Sequence, residues 1–182
     1  HHGDIALWAL GMETSGPTSI EGKGTYPKIE NGYNVATSFD CNYEFEGGHT
    51  ARLYSGKNEL IISGDRGKIR VNRGGLTGKP VEQLTEKDND WMQEEILKLC
   101  NGKKPGNHMA NFFECVKDRG KPISDVWSHH RSVSLCHLAN IAMILDRPLK
   151  WDPKKERFIG DDDADAMIER KQRDEYAIDV KV

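Results

Sequence analysis

The residues best suited to do chemistry open the chain. His1, His2 and Asp4 begin the run HHGDIALWALG, whose remainder is largely apolar and closes on Gly11. If that run is helical, His1 and Asp4 are neighbours on one face and His2 is turned about 100° away. A histidine beside a carboxylate is a general acid/base arrangement, because imidazole titrates near neutrality and the carboxylate orients it and favours its charged form. The same letters also suit a tag remnant or polar residues at a helix end, and the residues alone leave these readings open.

Other clusters are weaker. His129, His130, Arg131 and His137 suggest a metal or phosphate site. On a helix, however, His130 and His137 stand about 10 Å apart along the axis, too far to share one ion. His130 is then a half-buried interface histidine or a donor facing a polar ligand. The acids Asp161, Asp162, Asp163 and Asp165 lack the glycine and final glutamate of a calcium loop, and acids before a helix are favoured by its positive end. They read as a solvated helix start. GGLTGKP has neither the spacing nor the terminal hydroxyl residue of a phosphate loop, and no GxGxxG follows a strand, so no cofactor loop is visible. His49 and His108 read as surface or capping groups, and the four tryptophans as packing anchors.

Composition bounds what these groups can belong to. With 182 residues, 36% of them hydrophobic, and a net charge of -3, the chain suits one domain with a core of its own. It shows no basic excess for nucleic acid and no apolar run long enough for a membrane helix. Cys41, Cys100, Cys115 and Cys136 are widely spaced, never form CxxC, and read as buried thiols. Thiol usage leans toward a cytoplasmic setting, while any export signal would lie upstream.

The elements that must position these groups follow from periodicity. Asp4–Leu10 reads as a short helix with Gly11 as its cap, so residues 1–11 are expected to be the end of a helix that starts upstream. A strand is expected near Thr18–Tyr26. Alternation over Tyr33–Phe45 predicts a long strand, and HTARLYS, ELIIS and KIRVNR continue it as a meander with tight turns at Gly47-Gly48 and GDRG. The period then turns helical. NDWMQEEILKLC begins on Asp or Asn with Trp91, Ile96 and Leu99 on one side. HMANFFECVKDRG carries Met109, Phe112, Phe113 and Val116 and ends at Gly120. The longest helix is expected over Asp125–Leu145 with Val126, Val133, Ile141 and Ile144 as its apolar stripe. Two short extended pieces and an acid-started helix finish the chain. Strands first and helices later predict a single α+β domain over 1–182, an open, mostly antiparallel sheet with helices on one face. The other face is left for water or a partner.

Together, HHGDIALWALG, ELIISGDRGKIRVNRG and SHHRSVSLCHLANIAMILDRPLKWDPKKERFIGDDDADAM resemble the C-terminal domain of the glucose-fructose oxidoreductase, inositol dehydrogenase and rhizopine-catabolism (Gfo/Idh/MocA) family. The likeness runs over nearly the whole chain and is closest to the bacterial branch described as NADH-dependent dehydrogenases. It implies a preceding Rossmann domain that binds NAD(P) and supplies a lysine, neither of which is in this sequence. It makes His1 the catalytic histidine that exchanges a proton with the substrate hydroxyl, and Asp4 an acid that hydrogen-bonds a substrate hydroxyl. His130 and Arg131 are further candidates for substrate contact. The substrate is expected to be a sugar, polyol or related hydroxy compound, and the open sheet face, including the alternating residues of Tyr33–Phe45, a homo-oligomer surface. Two other outcomes remain open: a relative that uses NAD for glycoside cleavage or epimerisation without net redox change, and a non-enzymatic sugar- or protein-binding domain.

Overall fold

The computed structural model describes residues 1–100, 102–103 and 106–178. The chain divides into two compact units, each discontinuous in sequence: Ser15–Ser55 with Ser134–Val182, and His1–Thr14 with Gly56–Val133.

The first of these is an antiparallel sheet of order β3-β2-β1-β7-β8, with β1 at Ser19–Thr25, β2 at Ser38–Glu44, β3 at Thr50–Tyr54, β7 at Leu149–Asp152 and β8 at Arg157–Phe158. Ile20 faces Tyr43 and Gly22 faces Cys41 across β1 and β2. These residues, with Phe45, Leu149, Trp151 and Phe158, are buried together with Leu135, Leu138, Ala139, Ile141 and Ala142 from the second half of α5 (Val126–Leu145). The helix thus covers one face of the sheet, as an α+β fold requires. Two close approaches fix its seat. The Tyr43 hydroxyl donates to the Leu135 carbonyl at 3.1 Å. Gly22 has no room for a side chain, since a Cβ there would lie 2.7 Å from Cys41 Sγ and 3.1 Å from Met143 Cγ. Burial raises the Tyr43 hydroxyl well above its ordinary pKa and the Cys41 thiol to about 11, so both stay neutral.

The end of this unit is stapled by acids. Asp161 takes a two-pronged ion pair from Arg147 and caps α6 (Asp162–Asp165) by accepting from the Ala164 amide at 3.0 Å. Asp165 accepts from the Phe158 amide at 2.7 Å. The acid-started helix is therefore as expected, but two of its acids hold structure, while Asp162 and Asp163 are exposed.

The second unit carries α1 (His2–Leu10), a three-stranded sheet β4-β5-β6 (Leu60–Gly64, Gly67–Asn72, Gly75–Thr77), the short α2 (Lys79–Glu82), α3 (Glu86–Leu99), α4 (His108–Asp118) and the first part of α5. α1 lies against β4, and α2 against β5 and β6. GGLTG forms β6 and its turns. Gly78 is required there: its φ is 128°, and a Cβ would meet the Lys68 carbonyl at 2.2 Å.

Several expectations are corrected. The strands do not form one meander, because β4 pairs with β5 and makes no ladder with β3. The long strand starts at Ser38 and not at Tyr33. The Thr37 amide bonds to Thr25, the last residue of β1, so the strand ends where its partner ends, and Tyr33 and Val35 are exposed. α3 begins four residues before the expected Asn89-Asp90 start, at a capping box in which Thr85 and Asp88 each accept the other's backbone amide. α4 ends on Arg119 in a left-handed conformation, φ 55°, one residue before Gly120. On α5 the buried face is Leu135-Leu138-Ala139-Ile141-Ala142. Of the expected stripe only Ile141 is buried, and Val126, Val133 and Ile144 are exposed. Trp151 is a packing anchor, whereas Trp8, Trp91 and Trp127 are exposed. Cys41, Cys100 and Cys115 are buried free thiols and Cys136 is an exposed one.

Candidate active site

α1 is short and buries one side chain fully. Leu7 is 1% exposed and anchors it, Asp4 sits in the first turn where the helix's positive end favours an acid, and Gly11 closes it at φ 65°. The Met12 amide reaches back to Leu7 at 2.8 Å and that of Gly11 to Trp8 at 3.1 Å, so the end is sharply defined. His1 stands immediately before this helix. It is exposed, its carbonyl accepts from the Ile5 amide at 3.2 Å, and its side chain makes no capping bond.

α5 starts as firmly. Asp125, 8% exposed, accepts from the Trp127 amide at 2.9 Å and the Ser128 amide at 3.3 Å, and Ser128 Oγ donates to its other oxygen at 3.0 Å. Burial alone would raise the Asp125 carboxyl. The side-chain bonds from Lys121 and Ser128 and the backbone bonds from Ser128 and Trp127 outweigh it and hold the carboxyl below its ordinary range.

α1 and the first part of α5 are joined by a hydrogen bond between residues 128 apart in sequence. Ser132 Oγ lies 2.7 Å from Asp4 Oδ1 and 3.0 Å from the Ser128 carbonyl. Asp4 and Ser132 are both half-buried, so the pair is held yet reachable. Of the residues singled out from the sequence, His1 and Asp4 therefore share one helix terminus, and Asp4 is joined to α5 one residue past Arg131. His130 is exposed and Arg131 half-buried. At about 100° per residue His130 sits on the far side of α5 from Ser132, and Arg131 a quarter-turn away. The histidine on the Ser132 face is His129, three residues earlier. Ser132 is not singled out by the sequence, and His129 enters there only as a member of the His129, His130, Arg131 and His137 cluster. The signal was the spacing Ser128–Ser132, which puts two hydroxyls on one helix face.

A second polar feature lies in the other unit. Glu21, Gly22, Lys23, Asp40, Asn42, Asp146, Arg147 and Pro148 line an open cavity of about 220 Å³, and no candidate site residue is among them. Several of its polar groups are already engaged: Arg52, outside the lining, forks onto Asp40 with distances of 2.8 and 2.5 Å, Arg147 pairs with Asp161, and Asn42 donates to Glu21 at 3.2 Å. The Arg52 hydrogen bond lowers the Asp40 carboxyl. Among the described residues no cluster of ligand side chains could hold a metal ion, and no helix is long and apolar enough to cross a membrane.

The fold is that of an oxidoreductase family's C-terminal alpha/beta domain. The chain belongs to the oxidoreductase family whose C-terminal alpha/beta domain, of the Gfo/Idh/MocA type, matches residues 37–178. Among solved structures it is similar to the aldose-aldose oxidoreductase of Caulobacter crescentus complexed with glycerol, with 13% identity and a TM-score of 0.56 over 82% of this chain. It is likewise similar to the WlbA dehydrogenase of Bordetella pertussis in complex with NADH and UDP-GlcNAcA, with 14% identity and a TM-score of 0.58 over 84% of this chain. At such identities the likeness is one of fold. The chain covers 44% and 46% of those two structures, less than half of each. No curated protein matches it.

Proposed function

We propose that this chain is the substrate-binding and oligomerisation part of an NAD(P)-dependent oxidoreductase that acts on a sugar, polyol or related hydroxy compound. The observation that carries this reading is the Asp4 carboxylate, in the first turn of the helix that follows His1 and held at 2.7 Å by Ser132 of α5, in a chain of this oxidoreductase family. Asp4 accepts a hydrogen bond from a substrate hydroxyl. His1 takes the proton of the reacting hydroxyl, or returns it, and its exposed imidazole, three residues before Asp4 at the same helix terminus, suits that exchange. Arg131, half-buried next to Ser132, is a candidate for a neutral or anionic substituent of the substrate, and His130 a more distant one.

The described residues offer no dinucleotide loop, since GGLTG is spent on β6 and its turns. NAD(P), which would accept or deliver the hydride, is assigned to a domain outside this sequence. A sheet-to-sheet homo-oligomer is supported by the outer face of β1–β3, where Glu21, Lys23, Asp40, Asn42 and Arg52 mix both signs, so that a copy of the same face can set opposite charges against them. The apolar residues Cys41, Tyr43 and Phe45 belong to the chain's own core and cannot serve in it. A dimer in light scattering is the expected result, and a monomer at high concentration contradicts it.

The enzymatic reading is tested on the intact parent protein with a panel of sugars and polyols. His1→Asn should lower kcat by about 10²- to 10⁴-fold, the usual worth of a general acid/base, with NAD(P) affinity nearly unchanged. An unchanged rate removes His1 from the reaction.

A further inference from the structure

We propose that the outer face of α5 pairs antiparallel with the same face of a second copy of this chain. The opposite face of the helix is spent on the sheet, where Leu135, Leu138 and Ala142 are buried. Two positions past each of these, about 200° round the helix, stand His137, Asn140 and Ile144. All three are exposed, and so is Val133, the residue that continues their row toward the start of the helix. Val133 and Ile144 leave 53% and 50% of their surface uncovered, a large share for branched apolar side chains in the middle and last turns of a helix. The row 133, 137, 140, 144 advances by four, three and four residues. That is the narrow seam by which one helix takes another, and not the broad stripe that faces a core.

The order of side chains along the row selects the occupant. It runs apolar, polar, polar, apolar, and so reads the same in both directions. A twofold axis passing between Leu138 and Ala139 sets Val133 against the partner's Ile144 and His137 against the partner's Asn140, each pair occurring twice. Branched apolar side chains then close both ends of the seam. In its middle each imidazole meets an amide with which it can share a hydrogen bond, so no polar group is covered without a partner. The row holds no Asp, Glu, Lys or Arg, and two copies therefore meet without fixed like charges opposed. Sliding the pair by one heptad sets Val133 on the partner's His137 and loses the match. Parallel pairing sets imidazole on imidazole and aligns the two helix dipoles, which antiparallel packing opposes. This contact lies behind the sheet, on the side away from the outer face of β1–β3, and depends on neither His1 nor Asp4.

The test is a disulfide trap in the chain whose exposed thiol is removed by Cys136→Ser. In that background Val133→Cys and Ile144→Cys are made singly, mixed while dilute, concentrated together and oxidised in a glutathione buffer. The mixture should yield a covalent dimer with one chain of each kind, identified by its intact mass, which neither variant yields alone. Within one variant the two new thiols stand eleven residues apart along the paired helices, about 16 Å, well beyond the roughly 7 Å between Cα atoms that a disulfide can bridge. No covalent dimer from the mixture overturns the proposal. Cross-linking as strong in the single variants also overturns it, because it reports a parallel pair or random encounter. Should either cysteine variant fail to fold, Asn140→Lys in the unaltered chain, which sets two ammonium groups inside the seam, should halve the particle mass in sedimentation, and an unchanged mass overturns the pairing. The trap reports α5 alone, so its failure and that of the sheet-to-sheet contact are read separately.

Discussion

In the unit of Ser15–Ser55 and Ser134–Val182 apolar side chains meet one another, whereas in the unit of His1–Thr14 and Gly56–Val133 many meet water. Ile20, Cys41, Tyr43 and Leu149 are at most 1% exposed under the second half of α5. α3, by contrast, buries no residue at all, and Phe112 and Phe113 on α4 keep 52% and 55% of their surface exposed while pairing edge to face at 5.5 Å. Periodicity reports that a face is apolar, not that this chain covers it. The first unit is a scaffold complete in itself. The second places the candidate chemistry on α1 and the start of α5, and its helices are secured by polar bonds at Thr85–Asp88, Asn107–Ala110, Asp125–Ser128 and Asp4–Ser132.

Substitutions should separate the two units, beginning with the largest effect. Ile20→Ala is expected to cost about 2–5 kcal/mol in chemical denaturation, because its neighbours on both sheet and helix are close-packed. A cost under 1 kcal/mol would show that this core is loose. Gly22→Val should destabilise by about 1–3 kcal/mol through its clash with Cys41 and Met143. In the other unit Asp125→Ala should cost about 1 kcal/mol as a lost helix cap. The sign of its pH dependence follows from its lowered folded pKa: the Asp125 contribution is present above the unfolded value near 4 and disappears as pH falls through the folded one. Stability that rises on acidification over that range would contradict the capping geometry. Phe112→Ala should change stability by no more than about 0.5 kcal/mol, as exposed positions do. A larger loss would mean that the α4 face is covered in solution.

How much of this was legible in the sequence depends on where the information sits. The short helix closing on Gly11, the turn at GDRG and the span of α5 are written in local residue types, and the sequence reading placed them within a residue or two. The start of β2 is not local. Tyr33 and Val35 continue the alternation perfectly, and only the end of β1 at Thr25 explains why the ladder stops at Ser38. The buried face of α5 was missed because Ala139 and Ala142 weigh little in a hydrophobic pattern, yet small residues are what let a helix lie close to a sheet. In the candidate site, the placing of His1 and Asp4 at one helix terminus follows from local spacing. Ser132 required the fold, since nothing in a sequence announces a hydrogen bond between residues 128 positions apart.

The central claim is that this chain serves hydride transfer from a hydroxyl-bearing carbon, and the most direct measurement follows the hydrogen itself. The intact parent enzyme is given NAD(P) and a polyol or sugar deuterated at its carbinol carbons, and the nicotinamide is analysed by mass spectrometry after turnover. The account predicts deuterium on the released reduced nicotinamide, with the transfer abolished in His1→Asn. Deuterium that returns to the product without net reduction of NAD(P), or that never leaves the substrate carbon, would contradict it.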